Sequence, residues 1–295
     1  MDLNKYRLFA DVAITKSFTR TAERTGYSQP GVSKMLKSLE DDLGITLFRR
    51  TKNGVFLTPN AEEILPTVRK LLNDNGILEQ KVAAMNSLNS GHMTIACFAS
   101  TSRIILPEII HSYEEKYPGI GITLLEGGTD EIVNWVNDEA ADFGILSRRN
   151  IDTLHFIPLM RDPLVAILPK EEPYTSMKEF DIKEFEQQPF IISAEGTDYD
   201  IHHMIQKTGI KPDTRLTSRD DHAIVSMVAA HLGISILPML VVKDLLYMVH
   251  AIPLKPYFDR EIGICYLDKG AVSPAAKNFM YLIREKFAEN NASNS

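Results

Sequence analysis

Gln29, Ser33, Lys34, Lys37 and Ser38 lie one, three or four residues apart, so helical winding would gather amide, hydroxyl and ammonium donors on one face. Such side chains on a rigid rod match the hydrogen-bond pattern of base edges in a DNA major groove. The same charges on an unpartnered helix would be an ordinary solvated face, so the neighbouring residues matter. Arg49, Arg50 and Lys52 follow on two short apolar runs, Leu47-Phe48 and Gly54-Val55-Phe56-Leu57, that flank Asn53-Gly54. Asn-Gly supplies the positive φ angles of a tight hairpin. A basic hairpin behind a candidate reading helix offers its cations to phosphates.

The elements that must position these groups can be read beside them. Ser28 is placed to cap a helix whose first turn accepts Gln29-Pro30-Gly31. Val32, Leu36, Leu39 and Leu43 form its apolar stripe. Upstream, Ser17 caps a segment from Phe18 to Thr25 that ends at Gly26, with Thr19 and Arg20 in its first turn. Leu3 to Thr15 reads as an amphipathic helix packing Tyr6, Phe9, Val12 and Ala13 inward. Together these make a winged helix-turn-helix whose candidate DNA-binding residues are Thr19, Arg20, Ser28, Gln29, Pro30, Ser33, Lys34, Lys37, Arg49, Arg50 and Lys52.

The runs Phe9-x-x-Val12-Ala13, Ser17-Phe18-Thr19-Arg20-x-Ala22-Glu23 and Ser28-Gln29-Pro30-x-Val32-Ser33 resemble the amino-terminal domain of the LysR-type transcriptional regulators. So do Leu39-Glu40-x-x-Leu43-Gly44-x-x-Leu47-Phe48-x-Arg50 and Leu57-Thr58-Pro59. Two departures stand out, Thr21 where the family usually has alanine and Ala61 where it usually has glycine. Neither removes a side chain expected at DNA.

At 295 residues the chain is long enough for two or three domains. Its net charge of −7 is unevenly spread: residues 1–58 hold ten basic and six acidic residues, leaving 22 basic and 33 acidic beyond. A basic end on an acidic body suits one DNA-facing domain. No apolar run approaches the ~20 residues of a membrane span, and the start is unlike a signal peptide, so a cytoplasmic protein without membrane partners is expected. Cys97 and Cys265 each sit in a strand-like apolar run and read as free buried thiols. The resemblance places a peroxide sensor's cysteine pair near residues 193–209, where none occurs.

Thr58-Pro59 opens a long helix running to about Leu88. Ile64, Val68, Leu71, Asn75, Leu78, Val82 and Met85 are spaced as a heptad seam, with Asn75 the polar residue that would fix register. A helix lying on its own domain would show a similar stripe. The resemblance makes it a linker pairing two subunits, in a dimer or tetramer, which would set two reading helices roughly 34 Å apart. Pro66 near its start predicts a bend.

After the polar break at 86–91 the pattern alternates strands with helices, implying a largely parallel α/β sheet. The resemblance implies a two-lobed effector domain similar in fold to periplasmic solute-binding proteins. The expected organisation is 1–58 winged helix-turn-helix domain, 59–89 linker helix and 90–295 effector domain. Within it lobe I is 90–163 with 268–295, and lobe II is 164–267. Leu232-Gly233-Ile234-Ser235-Ile236-Leu237-Pro238 resembles a family motif, with His231 where glycine is usual.

Ligands in such sheets bind at loops leading from strands into helices. Ser100, Thr101 and Ser102, then Gly128 and Thr129, then Ser147 and Arg148 fit this in lobe I, with Ser193 and Thr197 facing them. Singly, each would be an ordinary cap or solvated side chain. Their donors and an arginine favour an anionic effector. His111 and His202-His203 lack a third ligand at zinc spacing, so no metal and no cofactor is expected. No phosphate loop, His-Glu-x-x-His or nucleophile elbow is present, so an enzyme is not expected. Asp220-Asp221-His222 reads as a helix cap.

The sequence thus predicts a homo-oligomeric regulator that binds double-stranded operator DNA and responds to a small molecule between the lobes, with RNA polymerase a further candidate partner. One alternative is a constitutive DNA-binding regulator. The other is a solute-binding or enzymatic module that uses the amino-terminal domain only to dimerise.

Overall fold

Apolar residues at helical spacing draw the amino-terminal helices around one core. The computed structural model describes the chain except residues 1, 52–53, 86–89, 149–152, 195–197, 268–271 and 294–295. Helices α1 (Leu3–Thr15), α2 (Phe18–Thr25) and α3 (Gln29–Leu43) bury Leu8, Phe9, Val12, Ala22, Val32, Leu36 and Leu39 together. The caps are those expected: Ser17 accepts from the Arg20 N–H and Ser28 from the Gly31 N–H, while Gly26 (φ 73°) and Gly44 (φ 70°) end α2 and α3 in left-handed conformations. Thr21 is fully buried at the expected alanine position because its hydroxyl pairs with that of Thr15 at 2.7 Å.

Strands β1 (Phe48–Thr51) and β2 (Gly54–Leu57) form the antiparallel wing. The Phe48 ring meets both Phe9 and Phe18 edge-on at 5.6 Å, and the Glu40 carboxylate accepts the Leu47 N–H at 2.7 Å. Thr58 then caps α4 (Pro59–Met85), accepting from the Ala61 N–H at 3.2 Å.

The expected seam divides on α4. Val68 is 6% exposed and belongs to the core of its own amino-terminal domain, with Ile64 packed against the same cluster. These two are therefore corrected from partner contacts to intrachain ones. Leu71 and Asn75 are half-buried, whereas Leu78 (60%) and Val82 (48%) are exposed. Met85 closes the helix. The other side of α4 is fastened to the effector domain: Arg69 pairs with Asp138 at 2.6 Å, and Asn73 donates to Glu139 at 2.7 Å. Buried Gln80 bonds the His92 carbonyl at 2.7 Å and the Ala275 N–H at 3.1 Å.

The first lobe contains β3 (Gly91–Cys97), α5 (Ala99–Ile104), α6 (Leu106–Lys116), β4 (Ile120–Glu126), α7 (Thr129–Asn137) and β5 (Phe143–Ser147). Helices α5 and α6 are separate, because Pro107 at the head of α6 has no N–H to continue the ladder. Strand β6 (His155–Leu168) is shared between lobes. The second lobe contains β7 (Phe180–Asp181), β8 (Pro189–Ser193), α8 (Tyr199–Thr208), β9 (Asp213–Ser218), α9 (Asp221–Ala229), β10 (Ile234–Pro238), α10 (Met239–Val242) and β11 (His250–Lys255). The chain returns as β12 (Asp259–Tyr266) and ends in α11 (Pro274–Ser293).

Sheet order is β4-β3-β5-β12-β6-β10-β8-β9, with β11 on β6 and β7 on β11. Residues 155–163 of β6 pair with β12, and residues 164–168 pair with β10 and β11. Residues 259–266, expected in lobe II, are thus corrected to the first-lobe sheet, because β12 also pairs antiparallel with β5. His231 adopts φ 61°, the left-handed geometry its motif position requires. Among the described residues no helix is long and apolar enough to cross a membrane.

Val68→Ala is expected to destabilise the amino-terminal domain by about 2 kcal/mol, the cost of emptying a packed site. Urea unfolding at several protein concentrations checks this, since a core contact gives a loss independent of concentration.

Candidate functional site

The outward face of α3 is the first candidate. Pro30, Lys34 and Lys37 are exposed, and Gln29 and Ser33 are half-buried along one shallow groove. Ser28, Thr19 and Arg20 are exposed at the neighbouring helix starts. Lys37 shares its charge with Asp41 at 3.2 Å, and Ser38 is engaged by Lys5 at 2.8 Å. On the wing Arg49 is exposed and lies opposite Phe56, and the Arg50 main chain lies opposite Val55. Lys52 lies outside the described residues. Reading helix and wing are therefore both packed on one core that includes Phe9, Phe18, Leu36 and Phe48.

The second candidate is the cleft where β3 and β4 end against α8 and α9, a cavity of about 420 Å³. Ser100 and Gly128 line it and are buried. Thr101, Thr129 and Ser193 are buried with hydroxyls that find no partner among the described residues. Ser102 donates to Glu126, and Ser147 reaches across the lobes to Asp200 at 2.8 Å. Arg219 of the second lobe likewise pairs with Glu131 of the first at 3.1 Å, and Arg103 meets His222. Thr197 lies outside the described residues.

Arg148 is corrected from an effector clamp. Its guanidinium pairs with Glu261 at 2.7 Å and stacks 5.4 Å from the Phe156 ring, so it is held against β12 and the neighbouring strand. The charged residues of the cleft are instead Glu126, Glu131, Asp198, Arg219, Asp221 and Arg260. Asp198 caps α8, accepting the Asp200 N–H at 3.1 Å, and an aspartate ahead of a helical stretch is the signal that could have found it. Asp220 caps α9 as expected, accepting the His222 N–H at 2.9 Å, which leaves Asp221 to face the cavity. Arg260 gave no sequence signal. Its Nε donates to Asp162 at 3.0 Å, its Nη1 lies 4.0 Å from Asp198, and it stands 5.3 Å from the Phe98 ring. Burial alone would pull this guanidinium down, but Asp198, Asp162 and Asp200 together hold it above its ordinary value.

Burial, then the neighbouring Asp198, push Asp200 and Asp221 up to about 6, with Arg260 opposing. Asp221 also faces Arg103 on α5 and its own neighbour Asp220. Burial likewise pushes Cys97 and Cys265 up to about 12, which leaves both as inert thiols at neutral pH. The Nε2 of His202 bonds the Ser193 carbonyl at 2.8 Å, His203 stacks on Tyr199 and His111 is exposed near Glu115. Among the described residues no group of three or more His, Cys, Asp or Glu could hold a metal.

The LysR substrate binding domain matches residues 86–288, and the bacterial regulatory helix-turn-helix domain of the lysR family matches residues 3–62. The chain belongs to the LysR family. This LysR regulator is a DNA-binding transcriptional regulator carrying an effector-binding domain. YbhD of Escherichia coli, described as an uncharacterized HTH-type transcriptional regulator, is 29% identical over 96% of this chain and 90% of its own. A full-length OxyR variant from Pseudomonas aeruginosa shares the fold at TM-score 0.70 and 24% identity, over 97% of this chain and 94% of that one. The effector-binding domain of QuiR in complex with shikimate shares it at TM-score 0.61 and 21% identity, over 68% of this chain and 98% of that one.

Asp221→Asn is expected to raise the melting temperature of the LysR regulator at pH 7.5 by roughly 2–4 °C for each kcal/mol relieved. A carboxyl raised in the fold is costly to ionise. That cost is absent below its ordinary value of 3.8, grows as pH rises and is complete above about 6. The gain should therefore shrink steadily in melts carried from pH 7.5 down to pH 4.

Proposed function

We propose that the protein reads operator DNA with the exposed face of α3, places Arg49 and Arg50 on flanking phosphates, and pairs two chains along α4. A small molecule in the interlobe cleft then favours one arrangement of lobes and subunits. The observation that carries the proposal is the division of α3 into a buried stripe, Val32, Leu36 and Leu39, and an outward row of amide, hydroxyl and ammonium groups. A core helix would have no use for that row. The basic amino-terminal balance supports the same reading.

The cleft reading draws on the contacts that cross between lobes, Ser147 to Asp200 and Arg219 to Glu131. A ligand seated beside them acts only through unequal affinity for the two lobe arrangements. The altered spacing of paired reading helices then changes the bend or reach of the bound DNA, and so the access of RNA polymerase. For pairing, the exposed row Leu78 and Val82 supplies the apolar surface, with Asn75 one turn earlier bonded to Glu79 at 2.8 Å.

Binding to promoter fragments and to random DNA, measured against salt, tests the proposal. Gln29→Ala and Lys34→Ala should relax base preference by about 1–3 kcal/mol. Arg49→Ala should weaken all sequences alike and reduce the salt slope by about 1. Equal losses on specific and random DNA for all three would overturn the helix assignment. In sedimentation runs Leu78→Asp and Val82→Asp should lower the assembled mass. An unchanged mass would remove α4 as the pairing surface.

A further inference from the structure

The charges around the interlobe cleft have the wrong sign for a carboxylate ligand. Glu126, Glu131, Asp198 and Asp221 line it against two guanidiniums, Arg219 and Arg260. Both guanidiniums are engaged, Arg219 by Glu131 at 3.1 Å and Arg260 by Asp162 at 3.0 Å. The main-chain donor that an anion would seek at the start of α7, the Gly128 N–H, is already taken by the Glu131 carboxylate at 3.0 Å. An internal carboxylate thus occupies the place where a negatively charged ligand would otherwise bind.

Beside the Nη2 of Arg260, which is ion-paired with Asp162 at 3.0 Å but makes no hydrogen bond, two lining acceptors remain without partners among the described residues. The Asp221 carboxylate makes no hydrogen bond and no ion pair within 4 Å among the described residues. Ser100 is only 4% exposed, lines the same cavity, and its hydroxyl bonds to no described residue. A carboxylate and a hydroxyl are both acceptors, and a buried acceptor left unpaired is costly unless a donor fills the space. Phe98 and Val241 supply an apolar wall beside them, suited to a short alkyl stem.

Resting on the effector-cleft reading above, we propose that this cleft takes a small organic cation whose primary ammonium group sits between Asp221 and Ser100. Three N–H donors on one nitrogen meet the two free acceptors and the rim carboxylates together. The apolar stem lies along Phe98 and Val241.

The full-length protein is melted at pH 7.5 with butylamine and 1,4-diaminobutane, and separately with succinate, benzoate and magnesium chloride. The amines are expected to raise the melting temperature, by roughly 2–4 °C near saturation, and the other probes to leave it unchanged. Calorimetric affinity for the diamine should fall about tenfold or more in Asp221→Asn and about fivefold in Ser100→Ala. Both variants remove a group without adding bulk, and each variant's own melt, set beside the wild type at the same pH, reports whether it is folded.

A rise with succinate or benzoate would keep the cleft as a ligand site and overturn the charge assigned here. A rise with magnesium alone, or an amine response unchanged in Asp221→Asn, would also overturn it. No shift with any probe would sink the ammonium site and the cleft reading together. DNA retention by the same sample reports separately on α3.

Discussion

The buried pair Asp162–Arg260 is the constraint on which the effector domain turns. The two residues lie directly opposite one another on β6 and β12, the strands that join the lobes, and each is almost fully removed from water. An ion pair so buried gains little net stability, because desolvation offsets the attraction. Its value is positional. Removing either charge would strand the other at a cost of about 3–5 kcal/mol, so the strands hold one register. Asp162 also accepts the Leu240 N–H at the head of α10, while Arg260 faces the Phe98 ring of the first lobe and Asp198 of the second. One guanidinium therefore fixes where the walls of the cleft stand.

At the other end of the molecule the organising force is hydrophobic and local. Phe48 inserts between Phe9 and Phe18, and Glu40 holds the wing main chain from the end of α3. Wing and reading helix are thereby fixed to each other by side chains that do not face outward. The exposed faces are free to carry polar and basic groups without weakening the core, which is how one small domain serves folding and recognition at once.

What was legible in the sequence follows from the range over which each interaction acts. The three amino-terminal helices were readable because caps at Ser17 and Ser28 and apolar spacing are local signals. The first half of β6 was not, since prolines such as Pro158 and Pro163 interrupt most strand patterns, yet they sit opposite Gly263 and Asp259 in a ladder that tolerates them. Val68 shows the limit of periodicity. The same spacing serves a helix packed on its own domain and a helix packed on a twin, and only the surrounding core decides. Of the cleft, the loops at Ser100 and Gly128 were legible from strand-to-helix transitions. Arg260 was not, because the partner that makes it buried lies 98 positions away. Arg148 was misread for the same reason, its carboxylate partner Glu261 being 113 positions distant.

Gln80 has a practical consequence for preparing the effector domain by itself. Its side-chain amide closes two main-chain groups of the first lobe, the His92 carbonyl and the Ala275 N–H, and lies against Gly91 so closely that a β-carbon there would collide with it. A truncated fragment beginning at the polar break would uncover both groups and empty the space beside them. Excised in that way, the domain begins life with a wound at its edge. A cut made upstream, leaving the last turns of α4 attached, preserves the native seal.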